Sequence, residues 1–177
     1  MSSKTNVISA LINLHKLKTF EVNEYSKTGN KKNDEGTGLE NFVKRLFINK
    51  DDKVYPNNAN DYFSHLGDKN HPPDLILKEG DAFEIKEKKS ATGEIQLNSS
   101  FPRDTLKFDD PKLTDKCRNC EDLGWKEKDI FYVIGHVKQN ILKSIFFVQG
   151  VCIACPSHYY SNLFNNLQKH MKMSNFS

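Results

Sequence analysis

Several features are scarce in this chain of 177 residues. No stretch approaches the about 18 consecutive apolar residues of a membrane-crossing helix, which excludes that class. The N-terminus, MSSKTNVISALINLHKLK, has no basic segment leading into an apolar run and a small-residue cleavage site. Secretion is therefore not expected, and a cytoplasmic chain is the reading that follows. No Gly-rich phosphate loop of the Walker type occurs, so no nucleotide cofactor is expected. Internal repeats and low-complexity tracts are missing too, which excludes solenoids and long tails. Apolar residues are thin at 37%. Even with glycine counted they stay below the about 45–50% of an average domain. The length fits one domain with a modest core and a strongly polar surface.

Acids are missing from the last part of the chain. Up to Asp129 there are 22 Lys and Arg against 23 Asp and Glu; after it come Lys138, Lys143, Lys169 and Lys172 and no acid. A neutral front with clustered carboxylates and a basic back suits a polyanionic partner, although a Lys-rich protein reaches such a split by chance as well.

Periodicity divides the chain. Val7, Ile8, Leu11, Leu14 and Leu17 predict a first amphipathic helix over 6–20, and SKTGNKKNDEGT at 26–37 predicts a mobile polar loop, so that 1–36 form a peripheral helix and loop on a single domain spanning 1–177. Leu39, Phe42, Val43, Leu46 and Phe47 make one face of a second helix. Residues 51–60 read as loop, followed by a short aromatic segment at Tyr62 and Phe63. Residues 73–77 and 82–86, separated by Glu79-Gly80-Asp81, predict a β-hairpin. Residues 90–128 read as irregular. Residues 129–137 and 141–153 are rich in Ile, Val, Phe and Tyr and predict two strands. Pro156-Ser157 opens a final helix whose apolar stripe is Tyr160, Leu163, Phe164, Leu167 and Met171. The sum is an α/β (α+β) domain with a central mixed sheet flanked by helices.

The hairpin carries the chemistry. Side chains at i and i+2 of a strand share a face, so Glu84 and Lys86 stand together while Phe83 and Ile85 point into the core. Asp74 begins the preceding strand, and the hairpin brings its carboxylate toward Glu84. Two carboxylates at one sheet end suit Mg²⁺, which takes one or two carboxylates and completes its shell with water or phosphate. Lys86 beside them suits stabilisation of an attacking hydroxide or of charge developing on a phosphate. A P-D…E-x-K pattern also arises by chance in a chain with 28% charged residues; its position on two turn-linked strands favours function. Glu40 lies at the border of the second helix's apolar face, where it either leans toward the same sheet end or is an ordinary solvated side chain.

Other groups are less decisive. Cys117/Cys120 and Cys152/Cys155 form two C-x₂-C pairs with 31 residues between them. They are a possible zinc set, but the gap exceeds the usual about 15–20 residues, and reduced structural thiols are the simpler expectation. Gln96, Asn98, Ser99, Ser100 and Arg103 directly follow the catalytic strand and suit DNA contact, Gln, Asn and Arg at base edges and Ser at phosphate, unless the run is only a turn. Lys88 and Lys89 are placed at phosphates. Trp125, the single Trp, is expected to pack, and His136 to be structural.

In order along the chain, His71-Pro72-Pro73-Asp74-Leu75, Gly80-Asp81-Ala82-Phe83-Glu84-Ile85-Lys86, Leu97-Asn98-Ser99-Ser100-Phe101-Pro102, Cys117-Arg118-Asn119-Cys120-Glu121 and the segment from Lys128 to His136 resemble the NgoPII-type family of type II restriction endonucleases, within the PD-(D/E)xK nuclease superfamily. The likeness spans roughly residues 36–160. It implies a restriction-endonuclease-like core and Mg²⁺-dependent cleavage of double-stranded DNA at a short palindrome, GGCC-like. Asp74 and Glu84 would be the metal ligands, Lys86 the catalytic lysine, and a homodimer would match the palindrome. Family members continue past the point where this chain stops, so a C-terminally shortened member is expected, with dimerisation and base reading at stake. Two alternatives remain at this level: the same core acting on another nucleic-acid substrate, and a non-catalytic zinc-stabilised DNA-binding module.

Overall fold

The computed structural model describes residues 5–22, 31–48, 59–68, 71–95 and 102–174. Helix α1, Val7–Lys16, starts where the Asn6 side chain accepts the Ser9 backbone N–H at 2.9 Å, an ordinary N-cap. Its Ala10 is buried and Val7, Leu14 and Leu17 pack on the core, but Ile8 and Leu11 of the expected stripe face solvent. The Asn13 amide donates to the Leu46 carbonyl at 2.7 Å and ties α1 to α2, Lys31–Ile48. Residues 31–37, expected as loop, are the first turns of α2; residues 26–30 lie outside the described residues. The loop reading weighed Gly36 and Gly38, each costing about 1 kcal/mol in a helix, more heavily than the Lys and Glu around them and the strongly buried stripe that follows. That stripe is as expected, with Leu39, Phe42, Val43, Leu46 and Phe47 all buried.

The six strands are β1 Phe63–Asp68, β2 His71–Leu77, β3 Ala82–Lys88, β4 Thr105–Lys107, β5 Glu127–Lys138 and β6 Ile141–Gln149. They form one mixed sheet in the order β1-β2-β3-β5-β4, with β6 also on β5. β3 and β5 run parallel and the other pairs antiparallel. The expected hairpin is β2–β3. The expected mixed α+β single domain, a sheet flanked by helices, is the architecture found. Strand β1 was legible only as an aromatic segment, since two register irregularities against β2 spoil its alternation. Within 90–128, read as irregular, lie the three-residue β4 and a single-turn helix α3, Asp115–Arg118, capped by Thr114.

Two apolar clusters sandwich the sheet. On one face α2 packs on Leu75, Leu77, Phe83, Ile85 and Val133. On the other, Ile76, Ala82, Leu106, Leu113, Cys117, Ile130, Tyr132 and Ile134 cluster, with Trp125 packed against them as expected. Gly135 of β5 lets α2 come close: a Cβ there would meet the Leu39 methyls at 2.7 and 2.8 Å. Strand β6 ends at Gln149 rather than at Ile153. Gly150 turns the chain where a Cβ would lie 2.4 Å from the carbonyls of Arg103 and Asp104, and a short 3₁₀ turn, Gly150–Cys152, follows. The last helix, α4 Ser157–Ser174, forms as expected, but its stripe is not covered: Leu163, Phe164, Leu167 and Met171 are each more than half exposed. No helix among the described residues is long and apolar enough to cross a membrane.

Candidate active site on the β2–β3 hairpin

The β2–β3 ladder pairs Leu75 with Phe83 and Ile76 with Ala82. Above it stand Pro72 and Pro73, which have no N–H to contribute to a ladder. The Asp74 carboxylate reaches across there and accepts the Ile85 N–H at 2.5 Å. Asp74 is thereby held against the residue that separates Glu84 from Lys86.

Glu84 and Lys86 share a face, as the strand period requires, and the Lys86 ammonium donates to Glu84 Oε1 at 2.6 Å. Glu84 is 5% exposed, because β3 lies between β2 and β5 and Tyr132 of β5 stands beside it in register. Its second oxygen, Oε2, is buried and has no hydrogen-bond partner among the described residues. Burial lifts the Asp74 carboxyl to about 7, helped by the negative charges of Glu84 and Glu40; the Ile85 N–H and Lys86 act in the opposite direction. Glu40 on α2 is near enough for its charge to act on Asp74, while its carboxylate pairs with Lys44 one turn along at 3.4 Å. Lys44 and Tyr132 were not singled out from sequence. Glu40-x₃-Lys44 is a legible helix pair, whereas the parallel register that seats Tyr132 beside Glu84 has no local signal.

The arrangement suits a hard cation. A bare buried carboxylate oxygen, and a second carboxyl whose proton affinity is raised by burial and by neighbouring negative charge, are both relieved by a divalent ion. The donor set is two carboxylates with a third at the border. Among the described residues no cluster of three or more His, Cys, Asp or Glu side chains is arranged to hold a metal. Two carboxylates fit Mg²⁺, which leaves most of its shell to water and phosphate.

Of the two readings of the cysteines, the described residues favour reduced thiols over a zinc set. Cys117 sits in the second apolar cluster, and burial pushes its thiol up to about 12. Cys120 lies 3.7 Å from the Ser64 hydroxyl, and Cys152 and Cys155 are exposed. The four do not assemble, since each pair belongs to a different local environment, and all are free thiols. Arg103 also differs from the expectation. Its guanidinium is buried in an ion pair with Asp110 at 2.5 Å, and its N–H donates to the Tyr132 hydroxyl at 2.7 Å, so it braces the fold rather than facing a base edge. Lys88 donates to the Gly93 carbonyl, and Lys89 is exposed. Gln96, Asn98, Ser99 and Ser100 lie outside the described residues.

The model of the NgoPII restriction endonuclease family matches residues 5–176. Over 170 residues, 93% of this chain, the sequence is 35% identical to the type II restriction enzyme NgoPII of Neisseria gonorrhoeae. The match covers 60% of that protein, so the chain spans less than two thirds of its relative's length. No solved structure matches the chain.

Proposed function

Because this chain belongs to the NgoPII restriction endonuclease family, we propose that it is a site-specific, Mg²⁺-dependent endonuclease of the PD-(D/E)xK type. Its substrate on this reading is double-stranded DNA carrying a short, GGCC-like palindrome, cut by a cytoplasmic homodimer with one strand assigned to each protomer. The observation that carries the reading is the meeting of Asp74, Glu84 and Lys86 at one sheet end, with Glu84 Oε2 left without a partner.

Asp74 and Glu84 are the residues that hold the ion. Bound there, Mg²⁺ supplies Lewis-acid stabilisation of phosphate charge. The remaining work falls to side chains. Glu84 fixes the Lys86 ammonium at 2.6 Å, a preorganised positive charge of the kind that stabilises the oxygen attacking phosphorus. Asp74, tied to the Ile85 N–H, is held against the strand that carries Glu84 and Lys86. Glu40, partly neutralised by Lys44, sets the negative potential at the mouth of the site. Lys88, Lys89 and the 96–100 segment belong to the DNA contact surface on this reading.

The test is a plasmid digest with purified chain in Mg²⁺ and in EDTA, followed by sequencing of the ends. Discrete fragments sharing one palindromic end, formed only with the metal, are expected. Intact plasmid, or a smear without common ends, overturns the proposal.

A further inference from the structure

Strand register extends the row of Lys86 across three strands. On β3, β5 and β6, Glu84, Tyr132 and Val148 stand side by side. The next row on the same face is Lys86, Ile134 and Phe146, and the one after it Lys88, His136 and Ser144. Tyr132 and Ile134 belong to the second apolar cluster, while Val133, Ile145 and Phe147 point the other way, toward α2. Exposure rises row by row. Glu84 and Tyr132 are buried; in the next row Ile134 is 8% exposed, the Lys86 side chain 24% and Phe146 59%. Ser144, in the third row, is exposed as well. Among the described residues, Lys86 therefore stands where the covered half of this face gives way to an open half.

A lone exposed aromatic is ordinary on a protein surface. Phe146 differs by its address. It lies two strand spacings, about 10 Å, from Lys86 along a line that crosses the sheet. A DNA strand advances about 3.4 Å per nucleotide along the helix axis. With its reacting phosphate at Lys86, such a strand reaches Phe146 within about three nucleotides. The two open rows carry the ammonium groups of Lys86 and Lys88 and no carboxylate, which suits phosphates and repels no polyanion. The Ser144 hydroxyl and the His136 imidazole are of the type that bonds phosphate or sugar oxygens, and the Phe146 ring of the type that packs on a sugar or stacks on a base. We infer that the cleaved DNA strand runs over β5 and β6 on this face, with Phe146 packed on a nucleotide within about three steps of the scissile phosphate. The inference rests on the nuclease reading and extends it to the surface that holds the substrate.

Two measurements on the full chain test it: fluorescence anisotropy with a short labelled duplex carrying GGCC, in Ca²⁺ so that binding is read apart from cutting, and single-turnover plasmid cleavage in Mg²⁺ at saturating enzyme. Phe146→Ala is expected to bind about tenfold more weakly yet to cut within about threefold of the wild-type rate once saturated. Ile8→Ala, comparably exposed on α1, is expected to bind as the wild type does. Phe146→Trp is expected to keep the affinity, and its added emission to be quenched when duplex binds. Unchanged binding by Phe146→Ala, or a Phe146→Trp emission that duplex leaves untouched, overturns the inference while the nuclease reading stands. A Phe146→Ala variant that loses rate but no affinity does the same. A wild type that neither binds duplex nor cuts plasmid removes the nuclease reading, and this inference with it.

Discussion

Two Glu–Lys pairs sit on this sheet, and they differ in how completely they are satisfied. Glu121 and Lys128 lie 2.9 Å apart at the turn end of the β2–β3 hairpin, both largely buried. Glu121 Oε1 also accepts the Ser64 hydroxyl at 3.3 Å and the Glu79 N–H at 3.1 Å, while Lys128 donates to the Gly80 carbonyl at 2.9 Å. Glu84 and Lys86, at the other end, are just as close, yet Glu84 keeps one buried oxygen without a partner among the described residues and stands beside a carboxyl raised to about 7. The first pair knits β1, the hairpin turn and β5 together. The second is short of positive charge and of donors, the condition in which a cation or a phosphate completes the site. Residue type and distance alone do not separate a fastener from a reactive centre; unmet bonding capacity does.

Breaking the two pairs sharpens that contrast. The largest effect is expected on cleavage: Lys86→Ala lowers the rate of plasmid cutting by about 10²–10³-fold or more, measured below the variant's melting point. Lys128→Met leaves the cleavage rate below its melting point close to that of the wild type. Equal losses of activity in both variants would erase the distinction. Next in size is stability. Lys128→Met strands Glu121 as a buried charge at a cost of about 3–5 kcal/mol, which lowers Tm by about 10 °C in a chain of this length. A melt indistinguishable from wild type would show that the latch is ornamental.

The smallest effect is a pH dependence. Asp74 is raised from 3.8 to about 7 by burial and by Glu84 and Glu40, against the pull of Lys86 and the Ile85 N–H. The native state thus holds this proton more tightly than the unfolded chain. The resulting stabilisation is complete below about pH 4 and fades as pH rises toward 7, so the metal-free protein loses about 2–3 kcal/mol between pH 5 and pH 8 from this group. Asp74→Asn, whose amide oxygen still accepts the Ile85 N–H, is expected to remove that loss, to be the more stable protein at pH 8 in EDTA, and to be inactive. Urea titrations at the two pH values check it; parallel pH profiles for both proteins would refute the assignment.

Much of this was legible because the signals are local. The stripe from Leu39 to Phe47 is a helix face, and the Glu84–Lys86 pair follows from the two-residue period of a strand. What escaped reading depends on partners distant in sequence. β1 owes its existence to pairing with β2 across two irregularities, β4 is three residues long and stands only because β5 is beside it, and Arg103 looked like a base reader until Asp110 and Tyr132 claimed it. Periodicity also placed the α4 stripe correctly, but it could not tell a covered face from an exposed one.

Gly135 has a consequence beyond packing. It is the spot on β5 where Leu39 rests, and Leu39 precedes Glu40 in α2. A single added methyl would press on the Leu39 methyls, so that this side chain must turn aside or α2 must give way. The seat of α2, and with it the place of Glu40, thus rests on a hydrogen atom where any other residue would carry a carbon.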